Sequence, residues 1–201
     1  MEDENCRERF LAKAAKSLDD LNTLIQDLIS ISQMETGEVK MLMEDFDLQI
    51  LLNEIHEQLM LIAQRRNVTL IIDAKSKEEL MVYADRHRIK QVLKNLIDNA
   101  IKYGKESGTV TTTLTIKKEF IQISIDDDGP GIPEEHQARI FQRFYRVEKS
   151  RSKEMGGTGL GLAIVKHIIE AHDSTISLVS KEGKGTNFTF KLLKGLQNEE
   201  N

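Results

Sequence analysis

Residues 85–103 read DRHRIKQVLKNLIDNAIKY, which has the pattern of an amphipathic helix. Asp85 is a residue type that caps helix N-termini. One face of the helix that follows is apolar, with residues spaced by three and four: Ile89, Val92, Leu93, Leu96, Ile97 and Ala100. Asn95 and Asn99 share a polar stripe four residues apart. Because asparagine is a poor interior helix residue, the pair indicates a binding role, with a solvated helix face as the alternative.

Side chains at the end of this helix suit a nucleotide. The amide oxygen of Asn99 is a donor that Mg²⁺ accepts, since this ion prefers oxygen ligands and keeps several waters. Lys102 has the charge to meet a phosphate, and the ring of Tyr103 can flank a base.

Helices and strands are predicted on both sides of the central helix. Before it, a helix and two short strands are expected at 48–63, 68–73 and 80–84. After it come a pair of antiparallel strands, a helix and a closing hairpin, at 110–116, 120–125, 160–171, 175–180 and 186–192. This mixture predicts an α+β fold, a two-layer sandwich with helices on one face of a sheet.

The N-terminal stretch predicts a bundle or coiled-coil helix. Apolar residues step by three and four, at Leu11, Ala14, Leu18, Leu21, Ile25 and Leu28, and the stripe is widened by Phe10, Leu24 and Ile31. A stripe this wide belongs in a helix bundle, and Gly37 is the expected helix end. The alternative is a helix packed on its own domain.

Composition excludes several classes of protein. The 201 residues are 39% hydrophobic and 30% charged, which is ordinary for a globular chain and excludes collagen and disordered tails. A net charge of −5 makes general nucleic-acid binding a poor interpretation. The single Cys6 excludes a disulfide scaffold, and no apolar run approaches the roughly 18 residues of a membrane span.

Glycines cluster at both ends of a loop of about 30 residues, which is long enough to predict a function. The first cluster reads DDDGPGIP over 126–133, directly after a strand. An ionised aspartate there can accept a hydrogen bond from an adenine amino group. The alternatives are a solvated acidic turn or a calcium loop, and the ladder of calcium ligands is absent.

The second cluster reads GGTGLGL over 156–162 and leads directly into a helix. Backbone N–H groups at a helix N-terminus bind anions, and phosphate is the usual one. The alternative is a glycine turn that lets a helix pack closely. Between the clusters, residues 139–153 carry six basic side chains and one acid, Glu148. This predicts a basic lid over a polyphosphate, or else a solvated basic loop.

In order and spacing, these motifs resemble the ATP-binding catalytic domain of bacterial sensor histidine kinases, in the superfamily shared with DNA gyrase and MutL. Residues 95–103 resemble the N box and Phe141–Arg146 the F box. The glycine boxes are similar to 127–132 and 157–162, and the trailing glycine motif to 183–186. Residues 4–37 resemble the second helix of the dimerisation and histidine-phosphotransfer hairpin.

The resemblance implies the Bergerat ATP-binding fold, ATP and Mg²⁺ as ligands, and a role for each matched residue. Asp127 would accept the adenine amine, Asn99 would bind Mg²⁺, and Tyr103 would stack near adenine. Asn95, Lys102, Arg143 and Arg146 would serve the transferred phosphoryl group. The remaining nucleotide contacts would come from the glycine boxes and the last strand: Gly129, Gly131, Ile132, Gly157, Thr158, Gly159, Leu160, Gly161, Leu162 and Thr186.

The resemblance divides the chain into the hairpin helix (1–38), the ATP-binding domain (39–195) and a tail (196–201). It implies a cytoplasmic domain of a membrane-bound sensor, a homodimer through bundle helices, a response regulator as partner and no nucleic acid. The family's phosphoacceptor histidine precedes this helix, so we expect no self-phosphorylation. His56 is interpreted as a surface or boundary residue. His172-Asp173-Ser174 replaces a His-Gly-Gly turn, so a different turn shape is expected.

Three hypotheses remain at this point. The chain is a kinase catalytic module, an ATPase of the same superfamily that drives a clamp, or a non-catalytic module that pairs through its first helix. The clamp ATPases lack an F box and a preceding bundle helix, and nucleotide binding separates the third hypothesis from the other two.

Overall fold

The computed structural model describes residues 2–35, 40–74, 79–147 and 157–196. In chain order the elements are α1 (Glu2–Glu35), β1 (Met43–Asp47), α2 (Leu48–Arg65), β2 (Thr69–Ala74), β3 (Met81–Asp85), α3 (Arg86–Tyr103), β4 (Thr109–Ile116), β5 (Phe120–Asp127), α4 (Glu134–Gln137), α5 (Gly161–Ala171), β6 (Ser177–Lys181) and β7 (Gly185–Leu193). The predicted helices and strands are confirmed within a few residues, whereas β1 and the short α4 were missed. Gly37, the expected end of the first helix, lies outside the described residues.

The main sheet has the strand order β2-β4-β5-β7-β6. Its pairs are antiparallel except β2–β4, which is parallel because the chain crosses over through α3 between these strands. The strand predicted at 80–84 is β3, and it pairs with β1 in a separate two-stranded sheet. The Gly195 N–H donates to the Met81 carbonyl at 2.9 Å and ties the two sheets together.

The hydrophobic core lies between the main sheet and α2, α3 and α5. Side chains on β5 alternate, so that Ile121, Ile123 and Ile125 are buried while the residues between them are half-buried on the other face. Asp127 continues the buried side of this alternation. The α+β sandwich with helices on one face is therefore confirmed, and Asp127 ends β5 on the side that the helices cover.

Asp85 fixes how α3 and α5 meet. Its Oδ1 caps α3 by accepting the Arg88 N–H at 3.0 Å, and its Oδ2 accepts the Leu42 N–H at 3.0 Å. Its own N–H donates to Nε2 of His172, just after α5, at 3.0 Å. The start of α3 therefore lies beside the end of α5, and the two helices run antiparallel. The start of α5 consequently lies against the middle of α3.

The turn after α5 closes without glycine. Ser174 N–H donates to the Ile169 carbonyl at 3.1 Å, and Asp173 takes a left-handed φ of 54°. Glycine adopts this conformation without strain, whereas a residue with a Cβ does not. Asp173 therefore makes the turn at an energetic cost.

Helix α1 packs on the domain only near its C-terminal end. Ile31 is 1% exposed, and the Ser30 hydroxyl accepts a hydrogen bond from Nη1 of Arg88 at 2.8 Å. Further toward the N-terminus, large apolar side chains are 41–72% exposed: Phe10, Leu11, Leu18, Leu21, Ile25, Leu28 and Ile29. The alternative of packing on its own domain thus holds for the last turns only. Within the described ranges, every helix is too short or too polar to cross a bilayer.

Candidate functional site

The carboxylate of Asp127 lies at the end of β5, half-buried beneath the helices. The Gly129 N–H donates to its Oδ1 at 2.9 Å, and the backbone N–H of Thr186, paired opposite on β7, also stabilises the charge. Burial outweighs these hydrogen bonds and raises the pKa of Asp127 to about 6, with the charges of Asp128 and Asp126 adding to the rise. The acceptor oxygens predicted for this position are therefore partly desolvated.

The first glycine cluster touches the end of α3. A Cβ at Gly129 would lie 2.6 Å from Oδ1 of Asp127 and 2.7 Å from Cα of Gly104, so only glycine fits between them. Tyr103 immediately precedes Gly104 and is 42% exposed. Asp127 and Tyr103, which are far apart in sequence, therefore both lie at the C-terminal end of α3.

Asn95 meets the second glycine cluster. Its Nδ2 lies 3.4 Å from the Gly161 carbonyl oxygen, and a Cβ on Gly161 would be 3.6 Å from the Asn95 amide carbon. Gly161 begins α5, whose first N–H groups have no partner within the helix. Asn99 lies one turn along α3, half-buried, and no hydrogen bond to its amide is formed by the described residues.

Thr158 and Leu160 shape the approach to α5. The Thr158 hydroxyl accepts the Leu160 N–H at 3.2 Å, and Leu160 is fully buried as an anchor, while Leu162 packs partly against the core. Gly157 is the first described residue of the cluster, and Gly156 lies outside the described residues. The predicted phosphate-binding backbone is thus held by one hydroxyl and one buried leucine.

Lys102 is engaged in an ion pair. Its Nζ lies 2.6 Å from Oδ2 of Asp98, one helical turn earlier, and both side chains are about three-quarters buried. The other oxygen of Asp98 is buried without a hydrogen-bond partner among the described residues. The charge predicted to serve a phosphate is therefore held on α3 by a neighbouring carboxylate.

The predicted F box joins the second glycine cluster through its backbone. The Phe144 N–H donates to the Gly159 carbonyl at 2.9 Å. Gly159 has a φ of 74°, and a Cβ there would lie 3.0 Å from the Phe144 backbone, so glycine is required. Phe141 packs edge-on to Phe188, with ring centroids 6.2 Å apart.

The basic residues of this segment are described only in part. Arg143 is exposed and lies near α5, where its charge helps burial to lower the pKa of His167. Arg146 is half-buried. Glu148, Lys149, Arg151 and Lys153 of the predicted lid lie outside the described residues.

Several residues that sequence reasoning missed hold the first glycine cluster and the F box. Ser180 on β6 accepts the Ile132 N–H at 2.8 Å and lies 3.1 Å from the Thr186 hydroxyl. Gln137 donates to the Ile132 carbonyl at 2.8 Å. His136 on α4 pairs with the Tyr145 hydroxyl at 2.6 Å. No motif marks these positions, because each depends on a contact across the fold.

His56 is a boundary residue, as expected. It is half-buried on α2, and burial lowers its pKa. Its Nε2 has no hydrogen-bond partner among the described residues.

The residues present fit an adenine nucleotide. At the end of α3, the half-buried Asp127 carboxylate offers acceptor oxygens for the base. At the middle of α3, where Asn95 contacts Gly161, the start of α5 offers backbone N–H donors for phosphate. Asn99, between the two, has an amide without a described partner, which leaves an oxygen donor for a cation.

Comparison with known proteins identifies the family. Residues 84–196, more than half of the chain, match the model of the histidine kinase-, DNA gyrase B- and HSP90-like ATPases. The chain belongs to this ATPase family. The ATPase domain therefore includes α3, both glycine clusters and the closing hairpin, in agreement with the resemblance in the sequence.

The relatives of this ATPase domain include sensor kinases. Sensor histidine kinase WalK of Bacillus subtilis is 35% identical over 193 residues, which is 95% of this chain and 31% of WalK. The structure of full-length ShkA in complex with AMPPNP has a TM-score of 0.79 at 25% identity, covering 90% of this chain and 38% of that one. Histidine kinase ThkA in complex with response regulator TrrA has a TM-score of 0.71 at 27% identity, covering 90% and 49%.

The chain spans about a third of WalK and less than half of the mycobacterial relative SenX3, to which it is 35% identical over 92% of its own length.

Proposed function

We propose that this chain is the catalytic part of a sensor histidine kinase. It binds Mg-ATP and donates the γ-phosphoryl group to a histidine outside this chain, for relay to a response-regulator aspartate. The observation that carries the proposal is the half-buried Asp127 carboxylate, which lies against the end of α3 and is held by the first glycine cluster. The segments are the hairpin helix (1–38), the ATP-binding domain (39–195) and the tail (196–201).

The adenine end of the nucleotide is assigned to Asp127 and its neighbours. An ionised carboxylate only accepts hydrogen bonds, which suits the exocyclic amine of adenine. Tyr103 stacks near the base. Backbone and side-chain contacts come from Gly129, Gly131, Ile132 and Thr186.

The phosphate end is assigned to the second glycine cluster, Gly157–Leu162, at the start of α5. The N–H groups of the first turn of α5, together with the helix dipole, favour an anion there. Asn99 would hold Mg²⁺ through its amide oxygen, and the ion would supply charge neutralisation when bound. The half-buried Asn99 amide supports this assignment.

Phosphoryl transfer is promoted by positioning and charge neutralisation, without covalent chemistry by the protein. Asn95, whose amide contacts Gly161, orients the phosphates. Lys102, Arg143 and Arg146 supply positive charge, which stabilises the negative charge on the transferred group.

The partners follow from the relatives. ThkA forms a complex with a response regulator, and this supports a response regulator as the partner of the present chain. The exposed apolar stripe of α1 supports a homodimer through bundle helices in the longer protein. In that protein, the chain is the cytoplasmic part of a membrane-bound sensor, and nucleic acid has no role.

Calorimetric titration of Mg-ADP tests the nucleotide site. The wild-type chain binds, and Asp127→Asn abolishes detectable binding, because an amide presents an N–H where an acceptor is needed. Asp126→Asn is the matched control: it lies one residue away on the opposite face of β5, where it accepts from Asn187. Failure of the wild-type chain to bind would favour a non-catalytic pairing module.

Incubation with Mg-ATP tests the location of the phosphoacceptor. The purified chain accumulates no acid-labile phosphate, because none of its five histidines lies in the phosphoacceptor context. Phosphohistidine on the chain, detected by its stability in base and loss in acid, would contradict this assignment.

A further inference from the structure

The loop between α2 and β2 carries a residue that holds the end of α3. We propose that Arg66 is a positioning residue for the adenine end of the site, acting through Gly104 on Asp127. The inference deepens the proposed function and rests on it for the identity of the ligand.

Arg66 caps the C-terminus of α3 with its side chain. Its Nη1 donates to the Lys102 carbonyl, and its Nη2 lies 3.4 Å from the Gly104 carbonyl oxygen. The last carbonyls of a helix have no partner within the helix and carry partial negative charge. A guanidinium satisfies two of them at once, because its donors form a rigid planar fork.

Arg66 is itself fixed at both backbone groups. Its N–H donates to the Ala63 carbonyl at the end of α2 at 3.1 Å. Its carbonyl accepts the Ser107 N–H at 3.0 Å. The guanidinium therefore extends from a backbone anchored to α2 on one side and to the α3–β4 loop on the other.

The contact continues from Gly104 to the carboxylate. A Cβ on Gly104 would lie 3.7 Å from Cβ of Asp127, and a Cβ on Gly129 would lie 2.7 Å from Cα of Gly104. Gly129 in turn donates its N–H to Oδ1 of Asp127. Because these backbones are in van der Waals contact, a shift of Gly104 changes the hydrogen bond that orients Asp127.

The same turn also positions Tyr103. It lies between the two carbonyls that Arg66 binds, those of Lys102 and Gly104. Release of the α3 C-terminus therefore loosens the predicted stacking residue and the predicted adenine acceptor together. Neither Arg66 nor the residues beside it in sequence belong to the motifs from which the site was predicted.

Two measurements on the whole chain test the inference. For Arg66→Ala, the Kd for Mg-ADP rises about tenfold, the effect of removing one charge-assisted hydrogen-bonding group. In the nucleotide-free protein, the carboxyl carbon of Asp127, followed by NMR, titrates with a higher midpoint than in wild type, because the displaced Gly129 N–H stabilises the ionised carboxylate less well. Arg66→Lys, which keeps the charge and a donor, gives intermediate values for both.

Two controls separate positioning from general destabilisation. Arg65→Ala removes the adjacent exposed arginine and leaves both readouts at wild-type values. Ile121→Val trims the core at the far end of β5, lowers the unfolding midpoint, and also leaves both readouts unchanged. If Arg66→Ala does not fold, Arg66→Lys decides the question by the same two measurements.

The outcomes are distinct for the two proposals. Unchanged ADP affinity and an unchanged Asp127 midpoint in the Arg66 variants would overturn the inference. If wild type binds no ADP, the proposed function fails, and the Asp127 titration alone still decides whether Arg66 positions the carboxylate.

Discussion

Thr112 is a single residue whose chemistry does not match its surroundings. It lies in the middle of β4 with none of its surface exposed, and its hydroxyl has no hydrogen-bond partner among the described residues. An unsatisfied buried hydroxyl destabilises a fold, since it loses its hydrogen bonds to water and gains none.

Thr112→Val therefore raises the free energy of unfolding by about 1 kcal/mol. Urea denaturation followed by circular dichroism measures the change. Thr111→Val and Thr113→Val, on the open face of the same strand, serve as controls and change stability by less than about 0.5 kcal/mol. Destabilisation by Thr112→Val would show that the hydroxyl is satisfied, for example by buried water.

The ionisation of Asp127 predicts a pH-dependent stability. Its pKa is about 6 in the fold and near 3.8 in the unfolded chain, so the native state binds the proton more tightly. The stability that this carboxyl contributes is complete below pH 4 and is lost as pH rises through about 6.

Asp127→Asn removes this pH dependence. The variant gains stability over wild type as pH rises from 4 to 7, by about 1–2 kcal/mol, less than full linkage because the half-buried carboxylate keeps some water. Thermal unfolding at several pH values measures the gain, with Asp126→Asn as the reference. A difference independent of pH would contradict the raised pKa. The ionised Asp127 carboxylate thus lowers the stability of the fold at neutral pH, at a position where the site needs a hydrogen-bond acceptor.

At the scale of elements, the end of α5 is strained at one position. Asp173 has a φ of 54°, whereas its neighbours close the turn with ordinary backbone hydrogen bonds. Asp173→Gly relieves the strain and stabilises the protein by about 0.5–1 kcal/mol, despite the greater freedom of glycine in the unfolded chain.

Asp173→Ala is the matched comparison, since it keeps the Cβ and loses the side-chain oxygens. It is expected to destabilise the fold relative to wild type, because alanine adopts the left-handed conformation less readily than aspartate. Chemical denaturation of the three proteins gives the order glycine, aspartate, alanine. Any other order would place the strain elsewhere in the turn.

Helix α3 shows how much of one element can be predicted from its sequence. Its apolar spacing identified the buried face, and Ile89, Val92, Leu93, Leu96 and Ile97 are all fully buried. The polar face was assigned as a group, yet its members differ in the fold: Asn95 meets α5, while Lys102 pairs with Asp98. Periodicity predicts which face of the helix is buried, whereas the partners of the polar side chains depend on neighbouring elements.

At the scale of the whole molecule, α1 exposes an apolar stripe that predicts self-association. Leu21 and Ile25 are about half exposed, within a stripe that continues to Phe10. Burial of such a stripe between copies removes apolar surface from water. We expect a concentration-dependent dimer in analytical ultracentrifugation.

The double variant Leu21→Glu with Ile25→Glu weakens this association at least tenfold while leaving Mg-ADP binding intact. Gln26→Glu, a charge change at an exposed polar position of the same helix, leaves association unaffected. A wild-type chain that stays monomeric at high concentration would contradict the expectation.

The fold class, the main helices and most strands follow from the sequence, which also predicted a set of residues for the nucleotide site. These follow from local physics: apolar periodicity marks buried faces, and glycine clusters mark close backbone approach. Order and spacing of the motifs then predicted the family that comparison with known proteins identified.

The remaining features depend on residues that meet from distant parts of the chain, so they became visible only in three dimensions. β1 was missed because its partner β3 lies about forty residues away, and the acidic sequence MEDFD has no strand pattern of its own. The raised pKa of Asp127 requires burial that its neighbours in sequence do not provide. Arg66, Ser180 and Gln137 acquire their roles only when loops, strands and helix ends come together, which no local pattern encodes.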